Sequence, residues 1–208
     1  MSHPDALIWD ERYSNDIRWR NLRAPRNLVI SYQHLLPRNG LVLDAACGST
    51  PTGLHLARQG WQVIGLDVSN AALRIAQSEV QKEALPVSFA LMDISNPWLP
   101  SNHFDVVLNF YYLSRPLLST YRKSIRYGGL LFFETFLRDD SFSSEVDGNP
   151  HHYLEPHELK AFFADWDIIH YEETQRISRS TERRNRSRHI AQLVARKPDS
   201  RKHEIYNS

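Results

Sequence analysis

The sequence predicts an α/β protein built on a doubly wound, mostly parallel sheet. Three observations carry that expectation. Short apolar runs rich in β-branched and aromatic residues recur along the 208 residues. The first five runs are mostly continuous rather than alternating, as in strands covered on both faces. Helix-forming stretches separate the first strands, and alternating strand and helix winds into a parallel sheet with helices on both faces.

In chain order, strands are expected over 41–46, 62–67, 87–92, 104–110, 129–135, 167–172 and 188–196. The stretch 22–36 is broken by Pro25 and stopped by Pro37, so a shorter helix sits there. Thr50-Pro51 suits an N-cap and a first helical residue, and the helix through Leu54, Leu56 and Ala57 stops at Gly60. Ser69 is placed to cap a helix over 70–82, in which Ala72, Leu73, Ala76 and Val80 share one face. A helix over 114–126 ends at Gly128-Gly129. Past Asp139 the pattern changes: 139–153 is polar, holds Gly148-Asn149-Pro150, and reads as a long loop. A helix follows at 156–163. The last two strands have no crossover helix between them and are expected to pair as an antiparallel hairpin at one side of the sheet.

Composition narrows the function classes. Hydrophobic residues make up 41% and charged residues 24%, which argues against a disordered or collagen-like chain. The net charge of +1 gives no bulk field toward nucleic acid or membrane. Cys47 stands alone, so no intrachain disulfide forms and a reducing, cytoplasmic setting is expected. Asp5, Asp10 and Glu11 interrupt any apolar signal core, and no apolar run is long enough to span a bilayer.

The most informative stretch is LVLDAACGSTPTG, beginning at Leu41: a strand, a turn of small residues and a helix start. Such a turn lets a ligand approach the backbone closely. Asp67 ends the second strand, close to the roughly 20-residue interval at which dinucleotide folds place a ribose-binding acid after their glycines. Asp93 ends the third strand. All three acids therefore stand at carboxyl ends of neighbouring strands, where open α/β sheets bind ligands. Asp44, shortly before Gly48, would repel a pyrophosphate and attract an ammonium. S-adenosylmethionine carries an ammonium, a sulfonium, a ribose and an adenine without phosphate, so it fits these acids better than a nicotinamide or flavin dinucleotide. No Lys and Ser/Thr follow the glycines, which excludes a P-loop. The plain alternative makes Asp44 and Asp67 surface acids at helix starts.

The runs LDAACG, LDVS, MDI and RYGGLLFFETF resemble, in order, the motifs of class I S-adenosylmethionine-dependent methyltransferases. FDVVLNFYYLSRPLL, GNPHHYLEPHELKAFF and the early WDERY are similar to the small bacterial tellurite-resistance and thiopurine-methyltransferase-like group. The likeness covers roughly 9–198. It implies a Rossmann-like class I methyltransferase fold, a seven-stranded, mostly parallel sheet with an antiparallel last strand. It also implies roles by position: Asp44, Gly48 and Ser49 for the methionine part, Asp67 for the ribose hydroxyls and Val68 against the adenine. Asp93 would accept from the adenine amino group, Ile94 would pack on the ring, and Asn109 would offer backbone and amide beside the methionine. Thr50-Pro51 departs from the family, which usually has a second glycine there. The chain is then one domain: 1–37 a helical or lid segment, 38–137 the cofactor-binding half, 138–198 a substrate-side loop, helix and hairpin, and 199–208 a tail.

The acceptor is less legible. Asn109-Phe110-Tyr111-Tyr112 keeps the outer residues of the N-P-P-Y motif of amino-methylating enzymes but lacks both prolines. Tyr111 and Tyr112 either wall the acceptor pocket or pack the next helix. Tyr111, Tyr112, His151 and His152 are the candidate general bases, the histidines only where the long loop folds over the site. The spacing of His151, His152, His157 and Glu158 matches no zinc pattern, and no metal is expected. Arg176, Arg179, Arg183, Arg184, Arg186 and Arg188 read as a solvated basic hairpin, with an RNA-binding surface the lesser alternative. Trp9 and Tyr13 mark either a docked helix or, with Arg18, a lid. The reading is methyl transfer from S-adenosylmethionine to a small or soft (S, Se or Te) nucleophile by in-line displacement. Its alternatives are an RNA or protein methyltransferase and a cofactor-binding regulator without turnover.

Overall fold

The computed structural model describes residues 4–20, 24–95, 97–139, 149–177 and 187–199. Three helices, α1 (Pro4–Asn15), α2 (Ile17–Arg20) and α3 (Asn27–Tyr32), and a 3-10 turn at Gln33–Leu35 precede the sheet. Next come β1 (Leu41–Ala45), α4 (Pro51–Ala57), β2 (Gln62–Asp67), α5 (Asn70–Glu83) and β3 (Val87–Leu91). β4 (Phe104–Phe110), α6 (Arg115–Ser124) and β5 (Ile125–Phe136) follow. A 3-10 turn at Pro150–His152 leads to α7 (Glu158–Phe162), β6 (Asp167–Ile177) and β7 (Ser187–Arg196).

The strands form one seven-stranded sheet in the order β3-β2-β1-β4-β5-β7-β6. β3, β2, β1, β4 and β5 are mutually parallel, and β7 runs antiparallel to both β5 and β6. The expected hairpin therefore closes one side of the sheet. Strand order reverses between β1 and β4, where Asp44 lies beside Leu108 and Ala45 beside Asn109. Their carboxyl ends open the crevice in which such sheets take ligands.

Alternate residues of each central strand go to opposite faces. Leu43, Val107, Leu131 and Phe133 pack with Leu117, Leu118 and Tyr121 of α6 and with Phe163 and Trp166. Val42, Val106, Leu108 and Phe132 pack against Leu28 and Val29 of α3 and Leu56 and Ala57 of α4. Two covered faces explain why the strands read as continuous apolar runs.

Some boundaries need correction. The helix expected over 114–126 stops at Ser124, because Ile125 already pairs with Phe104 at the start of β5 before a register shift. The strand then turns through Gly128, whose φ of 76° suits glycine. Within 22–36 the helix is α3 followed by the 3-10 turn, with 21–23 outside the described residues. The helix expected at 156–163 shortens to α7. Residues 140–148 of the expected long loop also lie outside the described residues.

Candidate functional site

β1 delivers Asp44 to the crevice with only 4% of its surface exposed. The turn after it is wound by positive φ at Ala46 (49°), Gly48 (55°) and Thr50 (47°). At Gly48 a Cβ would collide with the Tyr13 hydroxyl, so only glycine fits. Thr50 occupies the N-cap position of α4, yet its side chain caps nothing in that helix. Instead its hydroxyl donates to Asp44 Oδ2 at 2.7 Å. The residue that departs from the family's glycine thus takes a glycine-like conformation and holds the first acid. Gly53 makes room for this pair, since a Cβ there would strike Thr50 Oγ1. Burial pushes the Asp44 carboxyl up to about 7; the Thr50 hydroxyl, the Arg26 charge and the Gly53 amide pull it down, and Asp67 pushes it up. Ser49 is buried within the turn. Cys47 is buried too, and burial pushes its thiol up, which leaves it unreactive.

Asp67 stands beside the turn at the end of β2. Its Oδ2 accepts from the Gly48 amide at 2.7 Å and its Oδ1 from the Ser69 amide at 2.8 Å. Burial raises its carboxyl pKa while these amides and that of Val68 oppose the rise. Val68 is half-buried next to it. Asp93, by contrast, is exposed and closes a turn on Ser95, accepting from its amide at 2.8 Å and its hydroxyl at 3.0 Å. Ile94 is 4% exposed and packs in the core on the α6 side. The structure therefore gathers Asp44, Gly48, Ser49 and Asp67 tightly, with Asp93 at the outer edge.

The Asn109 amide has partners within the chain. Its Nδ2 donates to the Tyr112 carbonyl at 2.7 Å, and its Oδ1 accepts from the Tyr121 hydroxyl at 2.9 Å. The amide is engaged in shaping the loop after β4. Its backbone stands near the carboxyl end of β4, beside Ala45 of β1.

The front segment is a docked helix that reaches the site. Asp10 Oδ1 accepts from Ser69 Oγ at 2.7 Å and from the Ala71 amide at 2.9 Å, which fastens α1 to the start of α5. Tyr13 is 8% exposed and lies on Gly48. Trp19 sits edge-on to both Trp9 and Tyr13, with ring centroids 5.3 and 5.5 Å away. Arg18 pairs with Asp16 at 2.6 Å.

Tyr111 follows β4 in a left-handed conformation with φ 60°. Its amide donates to the Glu134 carbonyl at 2.7 Å, and its hydroxyl accepts from Arg176 Nη1 at 2.6 Å. Glu134 is 2% exposed on β5. Its carboxylate takes Arg176 at 2.7 Å and the Gln192 amide at 2.5 Å, which joins β5, β6 and β7. Phe136 packs at 4.9 Å from Tyr111 and 5.7 Å from Tyr153, and the Arg188 guanidinium lies 4.9 Å over its ring. Burial, then the Glu134 charge, pushes the Tyr111 phenol up to about 12. Tyr112 is also pushed up to about 12, by burial and by Asp93 and Asp5. His152 sits exposed on the 3-10 turn.

Glu134, Gln192, Arg26 and the contacts of Arg176 with Glu134 and of Arg188 with Phe136 escaped the sequence reading. An acid inside the apolar run LLFFETF was the signal, since a buried carboxylate needs a cation or donors. The other four arginines of the run lie outside the described residues. Among the described residues no group of three or more His, Cys, Asp or Glu could hold a metal, and no helix is long and apolar enough to cross a membrane.

Residues 42–129 match the model of a family described as a methyltransferase domain. The chain is 28% identical over 137 residues to 2-heptyl-1-hydroxyquinolin-4(1H)-one methyltransferase of Mycobacteroides abscessus, covering 62% of this chain and 60% of that one. It is 26% identical over 165 residues to the probable S-adenosyl-L-methionine-dependent methyltransferase TehB of Haemophilus influenzae, covering 75% and 57%. The match thus spans less than two thirds of either relative's length. The crystal structure of TehB from Haemophilus influenzae superposes with a TM-score of 0.72 at 20% identity, over 91% of this chain and 67% of that one.

Proposed function

We propose, on the premise that residues 42–129 belong to the methyltransferase domain family, that this chain is an S-adenosylmethionine-dependent methyltransferase acting on a small-molecule acceptor. The resemblance in LDAACG, LDVS and MDI holds at the level of family and fold. The observation that carries the cofactor reading is Asp44, a carboxylate buried at the switch point of the sheet. Two nearly buried acids flanking a glycine turn suit an ammonium and a ribose and oppose a diphosphate. The donor set fits the group chemically: a buried carboxylate held by the Thr50 hydroxyl stands beside a turn whose Gly48 amide is tied to the second acid.

When bound, S-adenosylmethionine supplies a methyl group on a cationic sulfur that an acceptor lone pair displaces in line. The chain's part is to hold both molecules; Asp44 anchors the amino end and Asp67 the ribose. Orientation of this kind lowers a barrier by about 7–11 kcal/mol. On the acceptor side stand Tyr111, Phe136 and Tyr153, with Arg26 and Arg188 over the aromatic faces. Phenols held near 12 stay neutral at neutral pH and make weak general bases. Glu134 is engaged by Arg176 and Gln192. This supports an acceptor that arrives as its own anion, such as a thiolate or another soft S, Se or Te centre. Arg176 is paired with Glu134 and Arg188 lies over Phe136, and these engagements favour a small molecule over RNA or protein.

Calorimetry with S-adenosylhomocysteine and NADH tests the reading. The chain should bind the first and not the second, and Asp44→Ala should weaken binding about tenfold or more. Binding of NADH alone would overturn it.

A further inference from the structure

We propose that a cavity at the amino ends of β4 and β5 is a binding site for a small organic acid with an apolar body. It lies at the end of the strands opposite to Asp44, so the inference stands apart from the cofactor reading. Its origin is the irregular start of β5. Ile125 pairs with Phe104, the register then shifts, and pairing resumes at Leu130 with Val106. Between them the chain turns through Gly128, with φ 76°, and Gly129, where a Cβ would lie 2.8 Å from Ile125 Cγ2 and 2.9 Å from the Asp105 carbonyl. Such a bulge bends a strand and leaves part of it unpaired. Here it opens a space of about 340 Å³ between β5 and the 3-10 turn before β1. That volume falls at the lower end of the roughly 300–1,000 Å³ that small-molecule sites occupy.

The lining joins an apolar surface to an unanswered cation. Leu35, Pro37, Leu130 and Tyr127 supply the apolar part, and Tyr127 is 52% exposed. Among the described residues Asp105 is the one acid in the lining, and it is already matched. Its Oδ2 accepts from the Leu41 amide at 2.8 Å, and Arg126 Nη1 reaches both its oxygens, at 2.9 and 3.0 Å. Lys197 Nζ lies 4.7 Å over the Tyr127 ring while it donates to the Ile125 carbonyl at 2.7 Å. Arg196 is the remaining charge. It is half-buried, and among the described residues it has no hydrogen bond, ion pair or ring contact. Asp167 stands opposite it across the β6–β7 pair, but is exposed and does not line the cavity. A half-buried guanidinium has lost part of its water without gaining a partner. A carboxylate answers it with paired hydrogen bonds, and an apolar body behind that carboxylate covers the rest of the lining. A basic ligand would meet Arg196 with like charge, and a neutral one would leave it unanswered.

Calorimetry with benzoate and benzyl alcohol, probes of similar shape that differ in charge, tests the site. The wild-type chain should bind benzoate roughly 10-fold or more tightly than the alcohol, the span of one charge-assisted pair. That preference should be the same with and without saturating S-adenosylhomocysteine, because the crevice lies at the other end of the strands. In Arg196→Met the two probes should bind within about twofold of each other. Comparing probes within one variant cancels any general loosening of the fold. Leu35→Glu puts a like charge in the lining, so it should weaken benzoate and spare the alcohol; it also serves if the Met variant does not fold. Amide resonances of residues 127–130 should move as benzoate is added. A wild-type chain with no preference for benzoate overturns the proposal. So does a preference that survives both variants, or one abolished by S-adenosylhomocysteine or by Arg188→Met alone, since either would seat the acid at the opposite end of the sheet.

Discussion

Asp44 couples cofactor binding to pH. Burial pushes its carboxyl from 3.8 up to about 7 in the free protein. An ammonium beside it favours the ionised form and draws that value down. Below about pH 7, binding must therefore release a proton, and affinity falls as the solution becomes more acidic. The expected slope approaches a tenfold rise in Kd per pH unit below 7, levelling at the lower pKa of the complex. Calorimetry of S-adenosylhomocysteine between pH 5.5 and 8 reads this slope, ~10-fold per unit at most. In Asp44→Asn the dependence should vanish along with most of the affinity. A flat profile in the wild type would mean that Asp44 is ionised in the free protein or stands apart from the amino group. The acid itself was visible in LDAACG, since a charge at the end of an apolar strand stands out. The Thr50 hydroxyl that holds it was not. Its left-handed backbone follows from the winding of the whole turn, which residue preferences alone oppose.

Among the elements, the join between α1 and α5 is the one that sequence proximity could not show. Ser69 Oγ accepts from the Ala72 amide at 3.1 Å, as its position before the helix led one to expect. The second cap comes from Asp10, far upstream, and its partner is revealed only by the packing of α1 on α5. Loss of such a cap costs about 0.5–2 kcal/mol. Asp10→Ala should lower the urea midpoint accordingly and loosen α1, with faster amide exchange over 4–15. Unchanged exchange there would show that the aromatic contacts of Trp9, Tyr13 and Trp19 hold α1 without Asp10. The helix expected through Arg126 failed for a similar reason. Ile125 has a strand partner in Phe104, and a pairing across the chain overrides local helical periodicity.

At the scale of the whole molecule, the mostly parallel sheet and the hairpin were legible, because continuous apolar strands alternate with helices and then stop alternating; the order of the strands was not. The placement of Asp44 and Asp67 at neighbouring strand ends was legible for the same reason, since the apolar pattern locates those ends. The cluster proposed to face the acceptor draws Tyr111, Glu134, Arg176, Arg188 and Gln192 from β5, β6, β7 and the loop after β4. No local spacing links such residues, so the fold had to bring them together. The engagement of Arg176 by Glu134 and of Arg188 by Phe136 supports the central proposal, that a methyl group goes from S-adenosylmethionine to a small molecule. The most direct measurement incubates the chain with methyl-labelled S-adenosylmethionine, a panel of small thiols and selenols, and bacterial extract split into low-mass, RNA and protein fractions. The label should appear in low-mass product and disappear with Asp44→Ala. Label confined to RNA or protein, or retained wholly on the donor, would contradict the account.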